Sequence, residues 1–447
     1  MICVTTSIST SDKSDVETPT TARLRAVVCR ECDWVAALPQ RAEGQRASCP
    51  RCGHHLTEAA QRDAQKPLAW AIATLVALGL VFCFSFLSFS AYGVGHVMAF
   101  GDTWHALTAD DYGTLAVVML AFTAAFPALY LSVLIYLCSA IQLGRPLPAQ
   151  VALARTLRPL EPWMMSDVFI VGVLVALIKI VSLASIQVHT GFIAFCVFSV
   201  CMLRTSQLID WTSLWDRLAP RPDASKDIRT GMSARAQGVV ACRGCDTAFV
   251  ADHGPRCPRC NKRHRLHRID RVQLTWALLA TATLAYIPAN LYPVLLTTQL
   301  GNSEPQTIAG GVLHLLHAGD WPIAAVIFIA SIVVPISKIA ALGWLCVVAR
   351  RPHAAASHSR MRLFRVTEKI GRWSMIDVFV VATLATLVQA GSLMSISPGP
   401  GVIAFGLVVI VTMIAAHTFD TRLLWSDRTH TWGPAETSAY PAHHSSA

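Results

Sequence analysis

Eight of the fourteen cysteines stand as two sets of paired knuckles. Cys29-x2-Cys32 is followed after 16 residues by Cys49-x2-Cys52, and Cys242-x2-Cys245 after 11 residues by Cys257-x2-Cys260. Thiolates from two such knuckles can surround one Zn(II) tetrahedrally; with all four positions held by protein, the site is closed and structural. Two structural zinc sites are therefore expected. Redox chemistry at a single Cys-x2-Cys pair competes with this reading, although two complete sets of four would be superfluous for it. Iron in the same thiolate cage is a further option. His54, His55, His253 and His264 lie nearby and, since four thiolates suffice, are read as solvated.

A second group of chemically capable side chains lies inside apolar stretches, where a charge costs about 2.5–3.5 kcal/mol on insertion scales and so needs a reason. Lys338 precedes Arg350 by twelve residues, roughly 18 Å of helix, which is too deep for easy snorkelling to water. Ser331 is two turns earlier on the same face. Asp377 stands five residues beyond Arg372 on the next stretch, with Ser374 about one turn before it. An interhelical Lys338–Asp377 pair is the natural expectation, with Ser331, Ser374 and Thr412 as polar neighbours. Such a pair is either a static packing device or a protonatable couple within a polar track. Asp167 is a further candidate earlier in the chain.

The elements that must position these residues are apolar helices. Runs at about 67–92, 113–141, 166–188, 190–209, 273–296, 321–349, 375–394 and 401–419 each match the roughly 20 residues needed to cross a hydrocarbon core. Hydrophobic residues make up 53% of the 447 and charged residues only 14%, with a mean hydropathy of +0.48. That balance excludes an intrinsically disordered chain, a single compact soluble domain and a small disulfide scaffold. Residues 1–15 have neither a basic start nor an apolar core, so no signal peptide is expected. Of 37 Lys and Arg, three fall within the runs; the other 34 lie in alternate connections and the termini, and none in the intervening connections. The positive-inside rule then puts both termini and the 210–272 segment in the cytoplasm, and the net charge of +10 needs no nucleic acid to explain it.

The chain also repeats itself with a shift of about 210 residues. The two cysteine modules correspond, as do Trp163 and Asp167-Val168-Phe169 with Trp373 and Asp377-Val378-Phe379. Gly191 and Phe195 match Gly401 and Phe405, and Pro127 matches Pro335, each proline at mid-run where a kink or cavity is expected. Lys338 aligns with Tyr130, so the second half is favoured as the working one. The expected fold is an all-α polytopic membrane protein. Eight transmembrane helices form two parallel four-helix repeats, each preceded by a small cytoplasmic zinc ribbon. The expected divisions are a tail at 1–24, ribbons at 25–60 and 238–268, membrane domains at 67–210 and 272–420, a linker at 211–237 and a tail at 427–447. Parallel repeats are one arrangement that transporters use.

On these residues, together with Gly310-Gly311-Val312 and Pro335-x2-Lys338, the sequence resembles the paraquat-inducible protein A family in its two-domain form, over about residues 25–426. The resemblance implies a protein of the Gram-negative inner membrane. It would work beside a periplasmic MCE-domain partner that forms a tunnel, and serve phospholipid trafficking between the membranes and envelope integrity. It also implies zinc at both cysteine modules and a polar network at Ser331, Lys338, Ser374, Asp377 and Thr412. No G-x4-G-K-[ST] signature occurs, and the chain is not expected to be an enzyme. Two other readings stay open: a membrane thiol oxidoreductase using a Cys-x2-Cys pair, and a scaffold that anchors the periplasmic partner without transport.

Overall fold

A computed structural model describes residues 25–38, 46–58, 65–91, 94–109, 112–180, 185–220, 228–250, 256–263, 269–299, 302–317, 319, 321–350, 358–387 and 394–425. The expected tails, His253 and His264 lie outside them. The chain begins with two hairpins, β1 (Arg25–Val28) with β2 (Val35–Leu38) and β3 (Arg46–Ser48) with β4 (His55–Glu58). Helix α1 (Gln65–Cys83) leads to β5 (Ser85–Ala91), β6 (Val94–Ala99) and α2 (Asp102–Ala109). Helix α3 (Gly113–Leu120) passes through a π-helical turn, Ala121–Ala125, into α4 (Phe126–Leu143). Amphipathic α5 (Gln150–Leu160), α6 (Ser166–Ile180), β7 (Ser185–Val188), α7 (Thr190–Leu208) and α8 (Trp211–Leu218) complete the first half.

The second half opens with β8 (Val239–Ala241) and β9 (Ala248–Val250) and continues through α9 (Ile269–Leu291), β10 (Leu295–Gln299), β11 (Asn302–Gln306) and α10 (Ile308–His317). Helix α11 (Trp321–Phe328) runs through a second π-helical turn, Ile329–Val333, into α12 (Val334–Arg350). Amphipathic α13 (His358–Trp373), α14 (Ile376–Leu387), β12 (Met394–Pro398) and α15 (Pro400–Thr418) follow. Both π-helical turns lie just before a proline, Pro127 or Pro335. Proline supplies no N–H to the carbonyl one turn back, and the widened turn absorbs that defect.

Among the described residues, eight helices or joined helix pairs are long and apolar enough to cross a membrane, from Gln65–Cys83 to Pro400–Thr418. The all-α expectation needs correction. Besides the short strands of the cysteine modules, two three-stranded antiparallel sheets, β6-β5-β7 and β11-β10-β12, lie at the chain ends of the helices remote from those modules. The apolar run taken as one span to residue 92 ends its helix at Cys83 and continues as a strand, and the run to 188 likewise ends as β7. An unbroken apolar run does not by itself distinguish a helix from a buried strand.

Sheet register gives residue-by-residue equivalence of the halves. Leu87 pairs with Met98 and Val188; Leu295 pairs with Gln306 and Pro398. Gly191 at the start of α7 and Gly401 at the start of α15 sit against backbone. An added Cβ would lie 2.6 Å from the carbonyl oxygen of Ser85 or Tyr292, respectively. The halves meet along α6 and α14, where Phe169 and Phe379 make an edge contact at 5.5 Å. Gly172 lets the helices close, since a Cβ there would stand 3.0 Å from that of Phe379.

Candidate functional site

Each cysteine knuckle is a tight turn closed by its own backbone. Asp33 N–H donates to the Cys29 carbonyl (3.0 Å), and Gly53 to Cys49, Asp246 to Cys242 and Asn261 to Cys257 do the same at 2.9–3.0 Å. These four residues all take left-handed φ values, 57–69°, a conformation open to Gly and tolerated by Asp and Asn. The sequence therefore carried a further signal: Asp, Gly, Asp and Asn directly follow the second cysteine of each knuckle. The turns aim all four thiols inward. Sγ separations are 3.5 Å for Cys29–Cys52 and Cys32–Cys49, 3.4 Å for Cys242–Cys260 and 3.6 Å for Cys245–Cys257. Within each set all four Sγ atoms lie within 4.8 Å of one another, and all eight cysteines are buried. A tetrahedral ion with bonds of about 2.3 Å needs sulfurs about 3.8 Å apart, so each set fits one metal ion.

The modules are docked crosswise. The first packs on the second half: its four cysteines share an apolar cluster with Met361 and Phe364 of α13 and with Phe419 and Trp425. Arg365 of α13 donates from Nε to Glu31 (3.0 Å) and from Nη2 to Glu31 and to the Cys52 carbonyl (3.1 Å). Arg51 stacks between Trp34 and Trp425, 5.2 Å from each ring. The second module packs on the first half, with its cysteines and Phe249 clustered with Leu214, Trp215 and Leu218 of α8. Arg259 reaches Asp216 (2.8 Å) and the Ala219 carbonyl, while Arg158 of α5 reaches Asp246 (2.6 Å). The modules touch each other through Arg30 and Asp246, and the segment leading into the second module bridges to the first from Ser233 to Trp34.

Burial opposes ionisation of Glu31, but hydrogen bonds and charge from His54 and Arg365 outweigh it and hold its carboxyl below the ordinary value. His54, expected to be solvated, is thus a partner of Glu31 at 3.0 Å. For Asp33 burial prevails over the nearby Arg422 and raises the carboxyl.

The intramembrane residues are brought together only in part. The Ser331 hydroxyl, in the second π-helical turn, donates to Asp377 Oδ2, with the Ile327 carbonyl 2.7 Å away as its alternative acceptor. Lys338 is buried and its Nζ has no hydrogen-bond partner among the described residues. The direct Lys338–Asp377 bond expected from the sequence is therefore not made. Lys338 instead lies against Gly371 of α13, where a Cβ would stand 2.8 Å from Nζ. Ser374 is buried at the junction of α13 and α14. Thr412 is buried in α15 and donates to its own helix at Val409 (2.9 Å). Asp167 is half-buried in α6 of the other half. Ser331 and Asp377 also line an open-sided cleft. Its walls include Val294, Ile308, Val402 and Phe405, with Gln306 and Thr307 contributed by the β11–α10 junction.

The profile of the family described as Paraquat-inducible protein A matches residues 64–219 and again residues 272–429. The chain belongs to this family. It is 41% identical over 400 residues to Intermembrane transport protein PqiA of Escherichia coli K12, covering 89% of this chain and 95% of that one. It is 29% identical over 411 residues to Lipophilic envelope-spanning tunnel protein A of the same organism, covering 89% and 90%. A Probable intermembrane transport protein of Haemophilus influenzae is 27% identical over 421 residues, covering 91% and 97%. No solved structure matches. Within this family chain, sequence reasoning missed Gly371, Glu31 and Arg365. The Gly371 signal was available as a small residue two positions before the Trp-x3-Asp-Val-Phe motif; an Arg on an amphipathic helix gave none.

Proposed function

We propose that the chain is the inner-membrane component of an MCE-type intermembrane lipid transport system. It passes phospholipids between the inner membrane and a periplasmic tunnel-forming partner, and so supports envelope integrity. The observation that carries this reading is the cleft of the second half. Apolar walls suit an acyl chain, and the Ser331–Asp377 pair within it supplies a carboxylate able to take up and release a proton. The relatives named for intermembrane transport support the same direction. Lys338, Ser374 and Thr412, buried in the same half, complete its polar network, and Asp167 is a lesser member in the other half.

In this reading the two halves are parallel repeats in the membrane. The cysteine modules are zinc ribbons on the cytoplasmic side, with the termini, and the sheets face the periplasm where the partner docks. Closed sets of four buried thiols suit structural zinc better than a redox pair, which needs an accessible thiolate. Metal analysis of purified protein should find about two zinc ions per chain; metal-free, redox-active thiols would favour the oxidoreductase. Transfer of a fluorescent phospholipid from vesicles containing the chain to the periplasmic partner tests transport itself. Loss of transfer in Asp377→Asn or Lys338→Ala at normal abundance and normal partner binding supports it. Full transfer in both variants leaves a scaffold.

A further inference from the structure

Helix α13 touches both candidate sites, and it does so with one face. Met361, Phe364, Thr367 and Gly371 are its buried residues, spaced three, three and four apart along a single stripe. At one end of the stripe, Met361 and Phe364 pack into the apolar cluster formed around Cys29, Cys32, Cys49 and Cys52. Beside them Arg365 binds Glu31, which lies between two of the ligands, and the Cys52 carbonyl, and its Nη2 stands 3.9 Å from Cys52 Sγ. At the other end Gly371 forms the floor under Lys338 Nζ, six residues or about 9 Å of helix from Arg365. Little slack separates the two ends, because α13 is an unbroken helix and a Cβ at Gly371 would collide with Lys338.

We infer that the first cysteine module is a metal-dependent clamp on α13, which fixes the seat of Lys338 in the half of the chain to which that module does not belong in sequence. With metal bound, the two knuckles are tied together, and Glu31 and the Cys52 carbonyl stand together to receive Arg365. Without it the knuckles separate, Arg365 loses its paired acceptors, and the stripe on α13 is released. The second module holds α5 through a different pair, Arg158 and Asp246. There, however, the positions corresponding to Gly371 and Lys338 are Glu161 and Tyr130, so that grip ends on no buried lysine.

The test uses the full-length chain in lipid nanodiscs, with metal content measured on each sample. Cys49→Ser/Cys52→Ser empties the first module and Cys257→Ser/Cys260→Ser the second. Amide exchange should rise on the order of tenfold over residues 358–373 in the first variant only, and over 150–160 in the second only. Acylation of Lys338 by a water-soluble amine reagent should rise with the first pattern. Arg365→Gln, which keeps all eight cysteines, should retain metal yet loosen 358–373, and chelation should then add little further. Unchanged exchange over 358–373 with the first module empty overturns the inference. So does equal loosening of both helices in both cysteine variants, which marks a general loss of fold.

Discussion

In the first half Phe86, Phe100 and Phe192 stand at the positions that Val294, Ile308 and Val402 occupy in the second, as the sheet registers and helix starts align them. Phe86 closes on Phe100 and Phe192, and Phe86 and Phe100 on Phe169 and Phe195, at centroid distances of 5.5–6.3 Å. The three aliphatic residues instead line the cleft. Polar positions diverge in the same sense. Ser331, Lys338, Ser374 and Thr412 face counterparts Thr123, Tyr130, Met164 and Met202, and only Asp167 and Asp377 are alike. One frame therefore carries two fillings. Aromatic packing fills this region of the first half, and its replacement by aliphatic residues in the second leaves a space that reaches the half-buried Asp377 carboxylate.

The largest effect expected from this contrast is at the shared aspartate. Asp377→Asn keeps the size of the side chain and removes its charge and its proton chemistry. The proposed lipid transfer should fall by about tenfold or more, as expected for an intramembrane ionisable group with a role. Asp167→Asn should leave more than about half of it, since the rings of Phe86, Phe100 and Phe192 stand in the first half where Val294, Ile308 and Val402 line the cleft in the second. Transfer rates per inserted chain decide the matter, and equal losses would mean that the halves work alike.

Next in size is an exchange of fillings. Val294→Phe with Val402→Phe should close the cleft and reduce transfer severely without reducing thermal stability. Phe86→Ala should destabilise by about 3 kcal/mol or more through the cavity it leaves. Val294→Ala should cost less, because that side chain already borders open space. Melting curves of the three variants in the same detergent give the comparison.

These contrasts were only partly legible in the sequence. The cysteine knuckles were readable because metal ligation fixes residue type and spacing, and the eight apolar helices because hydrocarbon thickness fixes their length. Cys83 and Ser85 show where that reading stopped. Helix and strand meet inside one apolar run, and only the Leu-Ser-Phe-Ser alternation from Leu87 hints at the change of period. Crossed docking of the modules had no local signature either, since Glu31 and Arg365 are 334 residues apart and each looks like a surface charge. The Lys338–Asp377 bond was inferred from depth alone. Depth does not reveal that Ser331 stands closer to the carboxylate, on a turn widened ahead of Pro335.

Where the halves are alike, substitutions should hurt them alike. Gly191→Ala and Gly401→Ala each drive a Cβ to 2.6 Å from a backbone carbonyl oxygen, that of Ser85 at the start of β5 or of Tyr292 between α9 and β10. Both should cost about 1–3 kcal/mol as overpacking, lowering the melting temperature to a similar degree. A marked inequality would show that one sheet is softer than the other.

The smallest effect separates a hydroxyl that serves another residue from one that serves its own helix. Thr123 and Ser331 hold the same place in their π-helical turns. Thr123 donates to Met119 at 2.6 Å, a bond within the helix that side chains of this type make with little gain. Ser331 has the same local acceptor, at Ile327, but also reaches across to Asp377. Thr123→Ala should therefore be nearly silent in both stability and transfer. Ser331→Ala removes a donor from a half-buried carboxylate, at a cost of about 0.5–1.5 kcal/mol. Its transfer should drop several-fold, less than with Asp377→Asn, because the carboxylate itself remains. If Ser331→Ala in an Asp377→Asn background causes no further loss, the two residues act as one unit; an independent loss would place Ser331 on the lipid path in its own right.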